Sequence, residues 1–162
     1  MTAQPSVSSP ALDYHQFLQS KICLSPDSGF EVEDSDVHPV LKPFQRAVVR
    51  WALRGGRRLL AESFGLGKTL QQIEILRITV ARFGGLGLIV LPLGVRQEFH
   101  NDAKLVGVKF AFVRTNEELD AAVAEGYQLF LTNYESVRDG KLDPSRFIVV
   151  SLDEGDCLRG SG

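Results

Sequence analysis

Lys68 and Thr69 directly follow Gly65-Leu66-Gly67, and Asp153 and Glu154 stand together 85 residues downstream of Lys68. A lysine, a hydroxyl and two carboxylates suit phosphate chemistry around a divalent cation. Glycines at 65 and 67 permit positive φ and close backbone approach, so successive N–H groups can point at phosphate oxygens. A helix starting there would add the positive end of its dipole. In that arrangement Lys68 reaches the β- and γ-phosphates of a nucleotide such as ATP, and the Thr69 hydroxyl ligates Mg²⁺. Asp153 would hold the same ion, directly or through water, and Glu154 would orient or deprotonate the attacking water. Lys68, Asp153 and Glu154 are thus the candidate catalytic residues, with Thr69 and Asp153 the candidate metal ligands. Each pair alone also fits a blander role, a helix-start turn or a solvated acidic loop; together they favour a nucleotide site. One position departs from the strict pattern G-x-x-x-x-G-K-[ST], which needs glycine where the chain has Glu62.

Such residues need a sheet that ends beside them. "RRLLAE" predicts a buried strand before the glycines, and Lys68 to Phe83 a helix ended by Gly84 and Gly85. "LGLIVLP", "KFAFVR", "YQLFLTN" and "RFIVVSLDE" predict four more strands. Between them fall a helix through "GVRQEFHNDAKL" and another over "EELDAAVAEG", capped by Asn116. Upstream, Pro43 suits the first position of a helix "PFQRAVVRWALR", with Phe44, Ala47, Val48, Trp51 and Ala52 as its core-facing stripe. Residues 1–40 read as a disordered start, a short helix "YHQFLQSKICL" begun by Asp13, and an acidic loop. Residues 41–162 read as one α/β domain whose mostly parallel sheet carries helices on both faces.

The net charge of −2 hides an asymmetry: residues 1–40 carry −5, residues 41–115 carry +9 and residues 116–162 carry −6. A local positive field draws polyanions whatever the total. Lys42, Arg46, Arg50 and Arg54 recur every four residues on one helix face, either as a solvated stripe or as phosphate contacts, Arg46 and Arg50 foremost. No apolar run reaches the ~18 residues that span a bilayer, and no export signal is visible. Cys23 and Cys157 lie far apart, and His15, His38 and His100 form no ligand set. A cytoplasmic protein with reduced thiols and no membrane partner is the expectation.

The motifs and their order resemble superfamily 2 helicases, the DEAD/DEAH-box enzymes, and among them the Swi/Snf-like branch. Glu62-Ser63-Phe64-Gly65-Leu66-Gly67-Lys68-Thr69 is similar to the D-E-M-G-L-G-K-T of that branch, which accounts for the missing first glycine. "LKPFQRAVVRWAL" resembles the segment upstream of the phosphate loop, and implies that Gln45 recognises adenine. "LIVLPLGVRQEFHND" resembles motif Ia and "LFLTNYESV" motif Ib, implying nucleic acid contacts through Pro92, Thr132 and Asn133. "VVSLDEGD" resembles motif II, with Asp-Glu-Gly-Asp in place of the common forms. The whole set resembles most the phage and prophage helicases that often accompany DNA methylases.

The resemblance implies a P-loop NTPase fold, the first RecA-like domain of a helicase or translocase. Its cofactors are ATP and Mg²⁺, its partner is DNA (double-stranded), and a DNA methylase is a possible associate. The sequence stops eight residues past Glu154. A C-terminally incomplete domain is therefore expected, without the motif III strand that lies between the phosphate-loop and motif II strands in this family. The second RecA-like domain with its arginine finger is missing too, so the isolated chain is expected to be inactive as an ATP hydrolase. The alternative is a truncated, non-catalytic fragment that binds nucleotide or DNA. A small-molecule kinase fits less well, because it leaves "TNYE" and the Gln45 segment unexplained.

Overall fold

The computed structural model describes residues 29–56 and 67–153. Its helices are α1 (Pro43–Gly55), α2 (Lys68–Phe83), α3 (Arg96–Leu105), α4 (Asn116–Ala124) and α5 (Tyr134–Arg138). Its strands are β1 (Gly87–Leu91), β2 (Phe110–Phe112), β3 (Leu129–Asn133) and β4 (Val149–Leu152). The expected strand at 57–62 and the expected helix at 14–24 lie outside the described residues.

The four strands pair in the order β2-β3-β1-β4, all parallel. β1 is central, and its Gly-Leu-Ile-Val-Leu run is buried throughout, as a strand covered on both faces must be. Alternation along β1 and β3 splits the core in two. Ile89, Leu91, Leu129 and Leu131 face a layer built by Val49, Leu53, Ile73, Leu76 and Phe99 of α1, α2 and α3. Leu88, Val90 and Phe130 face the other layer, with Leu119, Leu142 and Phe147. Helices therefore flank both faces of a parallel α/β sheet, as the alternating pattern predicts. β4 lies at the edge among the described residues, with Val150 and Leu152 about half exposed.

Three local expectations are corrected. The cap of α4 is Thr115, whose hydroxyl accepts from Glu118 N (3.2 Å), while the side-chain Oδ1 of Asn116 accepts from Asp143 N (3.0 Å). The apolar stripe of α1 is turned largely outward: Phe44 and Trp51 are 44% and 45% exposed, and the buried face is Gln45, Val49, Ala52 and Leu53. Periodicity found the helix but could not choose between two apolar faces; the buried one carries Gln45, whose amide oxygen accepts from Lys42 N.

The acidic loop is also more than a loop, because Val32, Val37 and Leu41 are buried in the first core layer. Gly29 N and Phe30 N donate to the carbonyls of Arg54 and Leu53 (3.0 and 2.9 Å), which the end of α1 leaves without helical partners. Residues 29–42 thus form an arm folded along α1 and α2.

Candidate functional site

α2 begins at Lys68, where the sequence pattern predicts a helix start. Gly67 caps it in the left-handed region (φ 75°, ψ 31°), a conformation that glycine alone adopts without strain. A side chain at Gly67 would also displace a neighbour: a Cβ there would lie 1.9 Å from Nε2 of Gln45, which would have to move. Gln45 is buried on the first turn of α1, and its Oε1 accepts from Lys42 N (2.8 Å). One amide thereby closes the start of α1 and packs against the residue that starts α2. Gln45 thus lies beside Gly67, the residue that precedes α2.

Lys68 and Thr69 form the first turn of α2 and are partly exposed. The Thr69 hydroxyl lies 3.4 Å from Oε1 of Glu98 on α3. Gln72, four residues beyond Lys68 and so on the same side of the helix, donates from Nε2 to Oδ1 of Asp153 (3.1 Å). Its Oε1 accepts from the Ser151 hydroxyl (2.9 Å). Asp153 follows β4 directly; its N–H donates to the Val90 carbonyl (2.8 Å), and its own carbonyl accepts from the Tyr134 hydroxyl (2.7 Å). Asp153, 85 residues beyond Lys68 in sequence, is therefore tied to α2 at Gln72, one turn or about 6 Å along the helix from Lys68. Both stand at the carboxyl end of the sheet, where parallel α/β folds place their ligands.

These residues fit a nucleotide phosphate with Mg²⁺. The donors are hard oxygens, the Thr69 hydroxyl and the Asp153 carboxylate, whose second oxygen has no protein partner among the described residues. Mg²⁺ takes one or two such groups and completes its octahedron with water and substrate phosphate. Two titratable groups on α3 are shifted. Burial, then Glu98, pushes the Asp102 carboxyl on α3 above the usual range. Burial, then Arg96 and Lys104, holds His100 below its ordinary value.

Other candidates are placed differently. Glu62, Ser63, Phe64, Gly65, Leu66 and Glu154 lie outside the described residues. Pro92 is half-buried just past β1. Thr132 is fully buried, and Asn133 is nearly so and caps α5 by accepting from Ser136 N (3.2 Å). Neither offers its side chain to a polyanion in this conformation. Arg46 and Arg50 are engaged by the arm: Arg46 pairs with the Asp34 carboxylate and carbonyl, and Arg50 Nε donates to the Val32 carbonyl (2.8 Å). Arg54 pairs with Glu31 at 2.9 Å. Much of the basic stripe on α1 is thus answered by the acidic segment beside it. Sequence reasoning assigned no role to Gln72, Ser151, Tyr134 or Glu98. Two spacings could have found the first pair: Gln72 is one helical turn from Lys68, and Ser151 shares a strand face with Asp153.

A cavity of about 540 Å³ opens at the opposite end of the sheet, lined by Arg77, Lys109, Glu125 and Tyr127 among others, and contains none of the candidate residues. No helix among the described residues is long and apolar enough to cross a membrane.

No family model matches the chain. It is similar to Protein CHROMATIN REMODELING 19 of Arabidopsis thaliana, with 33% identity over 82% of this chain. The match covers 21% of that relative, so the chain spans about a fifth of the length of the remodelling protein it resembles.

Proposed function

We propose that the chain is an ATP-binding RecA-like domain of a superfamily 2, Swi/Snf-like helicase or translocase, which in a longer protein couples ATP hydrolysis to movement on DNA. One observation carries this: the helix that starts at Gly67-Lys68-Thr69 is hydrogen-bonded through Gln72 to Asp153 at the end of a neighbouring parallel strand. That is the juxtaposition a phosphate loop and a metal-binding carboxylate need. The similarity to a chromatin-remodelling protein supports the same class. Double-stranded DNA as partner, and a DNA methylase as associate, rest on the sequence resemblance alone. In this scheme Lys68 holds the β- and γ-phosphates, Thr69 and Asp153 would hold Mg²⁺, and Glu154 acts on the attacking water. The ion supplies charge neutralisation at the phosphates when bound.

Titration calorimetry of the whole chain with ATP and Mg²⁺ should show binding that Lys68→Ala weakens at least tenfold. A charged hydrogen bond is worth about 1.5–3 kcal/mol. Equal binding by the variant would remove the phosphate-loop assignment.

Base choice is a separate expectation. An amide both donates and accepts, so Gln45 can discriminate adenine from guanine. ATP should bind more tightly than GTP, and Gln45→Ala should abolish the preference. Should Gln45→Ala weaken ATP and GTP equally, Gln45 supports the loop at Gly67 and does not read the base.

A further inference from the structure

Gln72 is 2% exposed and uses both ends of its amide. An ionised carboxylate only accepts hydrogen bonds, so the amide must turn its NH₂ toward Asp153 and its oxygen toward the Ser151 hydroxyl. The direction of the chain Ser151 Oγ, Gln72, Asp153 is therefore fixed by chemistry as well as by distance (2.9 and 3.1 Å). The backbone of Asp153 is already held from two sides, by the Val90 carbonyl and the Tyr134 hydroxyl. What stays free is the rotation of its carboxylate, and Gln72 stops that rotation by binding one oxygen.

We propose that Gln72 is a positioning residue for the metal-binding carboxylate, setting the distance from Asp153 to the helix start that bears Lys68 and Thr69 and leaving the second oxygen for the ion. The inference rests on the ATP-site assignment above and goes beyond it by giving a role to a residue outside the candidate phosphate and metal ligands. A second consequence concerns communication between elements. Gln72 belongs to α2 and Ser151 to β4, so a displacement of either element relative to the other must turn the carboxylate. A glutamine that only fills the core would matter for stability and not for metal affinity, which separates the two roles.

The test uses the whole chain with ATP and Mn²⁺ as a spectroscopic substitute for Mg²⁺, the free ion being followed by electron paramagnetic resonance. Gln72→Met keeps the size of the side chain and removes both hydrogen bonds. Groups that orient a metal ligand typically account for about 10–100-fold in metal affinity. Gln72→Met is therefore expected to weaken Mn²⁺ binding about tenfold or more, with ATP affinity in EDTA unchanged. Asp153→Asn should weaken Mn²⁺ at least as much. Wild-type Mn²⁺ affinity in Gln72→Met, alongside its loss in Asp153→Asn, overturns the role of Gln72. Wild-type Mn²⁺ affinity in Asp153→Asn overturns the underlying site. Should Gln72→Met not fold, Ser151→Ala carries the test, because it removes the anchor of the amide oxygen and leaves the core side chain in place. It should weaken Mn²⁺ in the same direction by a smaller factor, and unchanged affinity there counts against the role.

Discussion

Arg77→Ala is expected to destabilise the fold by about 3–5 kcal/mol, the usual consequence of stranding one member of a buried ion pair. The stranded member is Glu74, midway along α2, whose side chain is completely buried while that of Arg77 is 27% exposed. Three donors satisfy the carboxylate: Nε and a terminal nitrogen (2.9 Å) of Arg77, and the backbone N–H of His38 (2.6 Å). The hydrogen bond to Glu74 also holds the Arg77 guanidinium above its ordinary pKa. The same terminal nitrogen of Arg77 also donates to the Asp36 carbonyl (3.0 Å), so this arginine fastens the arm to α2. Without it Glu74 keeps a single backbone donor in an apolar layer. Domains of this kind are stable by about 5–15 kcal/mol, so the loss should be plain as a lower urea midpoint with little change in slope. A loss under about 1 kcal/mol would show that Glu74 finds water or another partner, against its complete burial. Replacing both partners, as Glu74→Leu with Arg77→Leu, should recover much of the loss, since a buried pair exchanged for apolar side chains is often neutral.

That pair also shows where the sequence was legible and where it was not. Glu74 and Arg77 are three residues apart on a helix, a spacing that normally marks a weak surface pair. Only the arm, packing Val32, Val37 and Leu41 onto α1 and α2, buries the carboxylate, and no local pattern announces an arm. Strands and helices with one dominant period were read correctly, as in Gly87–Leu91 and Lys68–Phe83. α1 was read as a helix with Phe44, Ala47, Val48, Trp51 and Ala52 inward; of these only Ala52 is buried, because Val49-Ala52-Leu53 offers a second apolar face at helical spacing. At the site, the glycine-lysine-threonine turn and Asp153 were visible as residue types. Their connection through Gln72 and Ser151 was not, because a long-range hydrogen bond between two polar side chains leaves no period in the sequence. The basic stripe was visible, but the acidic segment that engages it was counted only as charge.

Gly67→Ala is expected to cost about 2–5 kcal/mol of stability and to weaken ATP binding sharply. Two causes add. A left-handed backbone costs a non-glycine residue about 1–2 kcal/mol, and Gly67 has φ 75°. The new methyl would also sit 1.9 Å from the Gln45 amide nitrogen, far inside van der Waals contact. Overpacking of a filled interior typically costs about 1–3 kcal/mol. Gln45 cannot yield without loss, because its other end accepts the Lys42 N–H that opens α1. The clash therefore passes from the start of one helix to the start of the other. A double-mutant cycle separates the two causes, since neighbours in contact do not add. In a Gln45→Ala background, Gly67→Ala should cost only the backbone part, about 1–2 kcal/mol. Thermal melts and ATP titrations of the four proteins are the measurement. Additive losses would mean that Gln45 does not press on Gly67. A coupling of about 1 kcal/mol or more, favouring the double variant, would show that Gln45 sets the shape of the loop whether or not nucleotide is present.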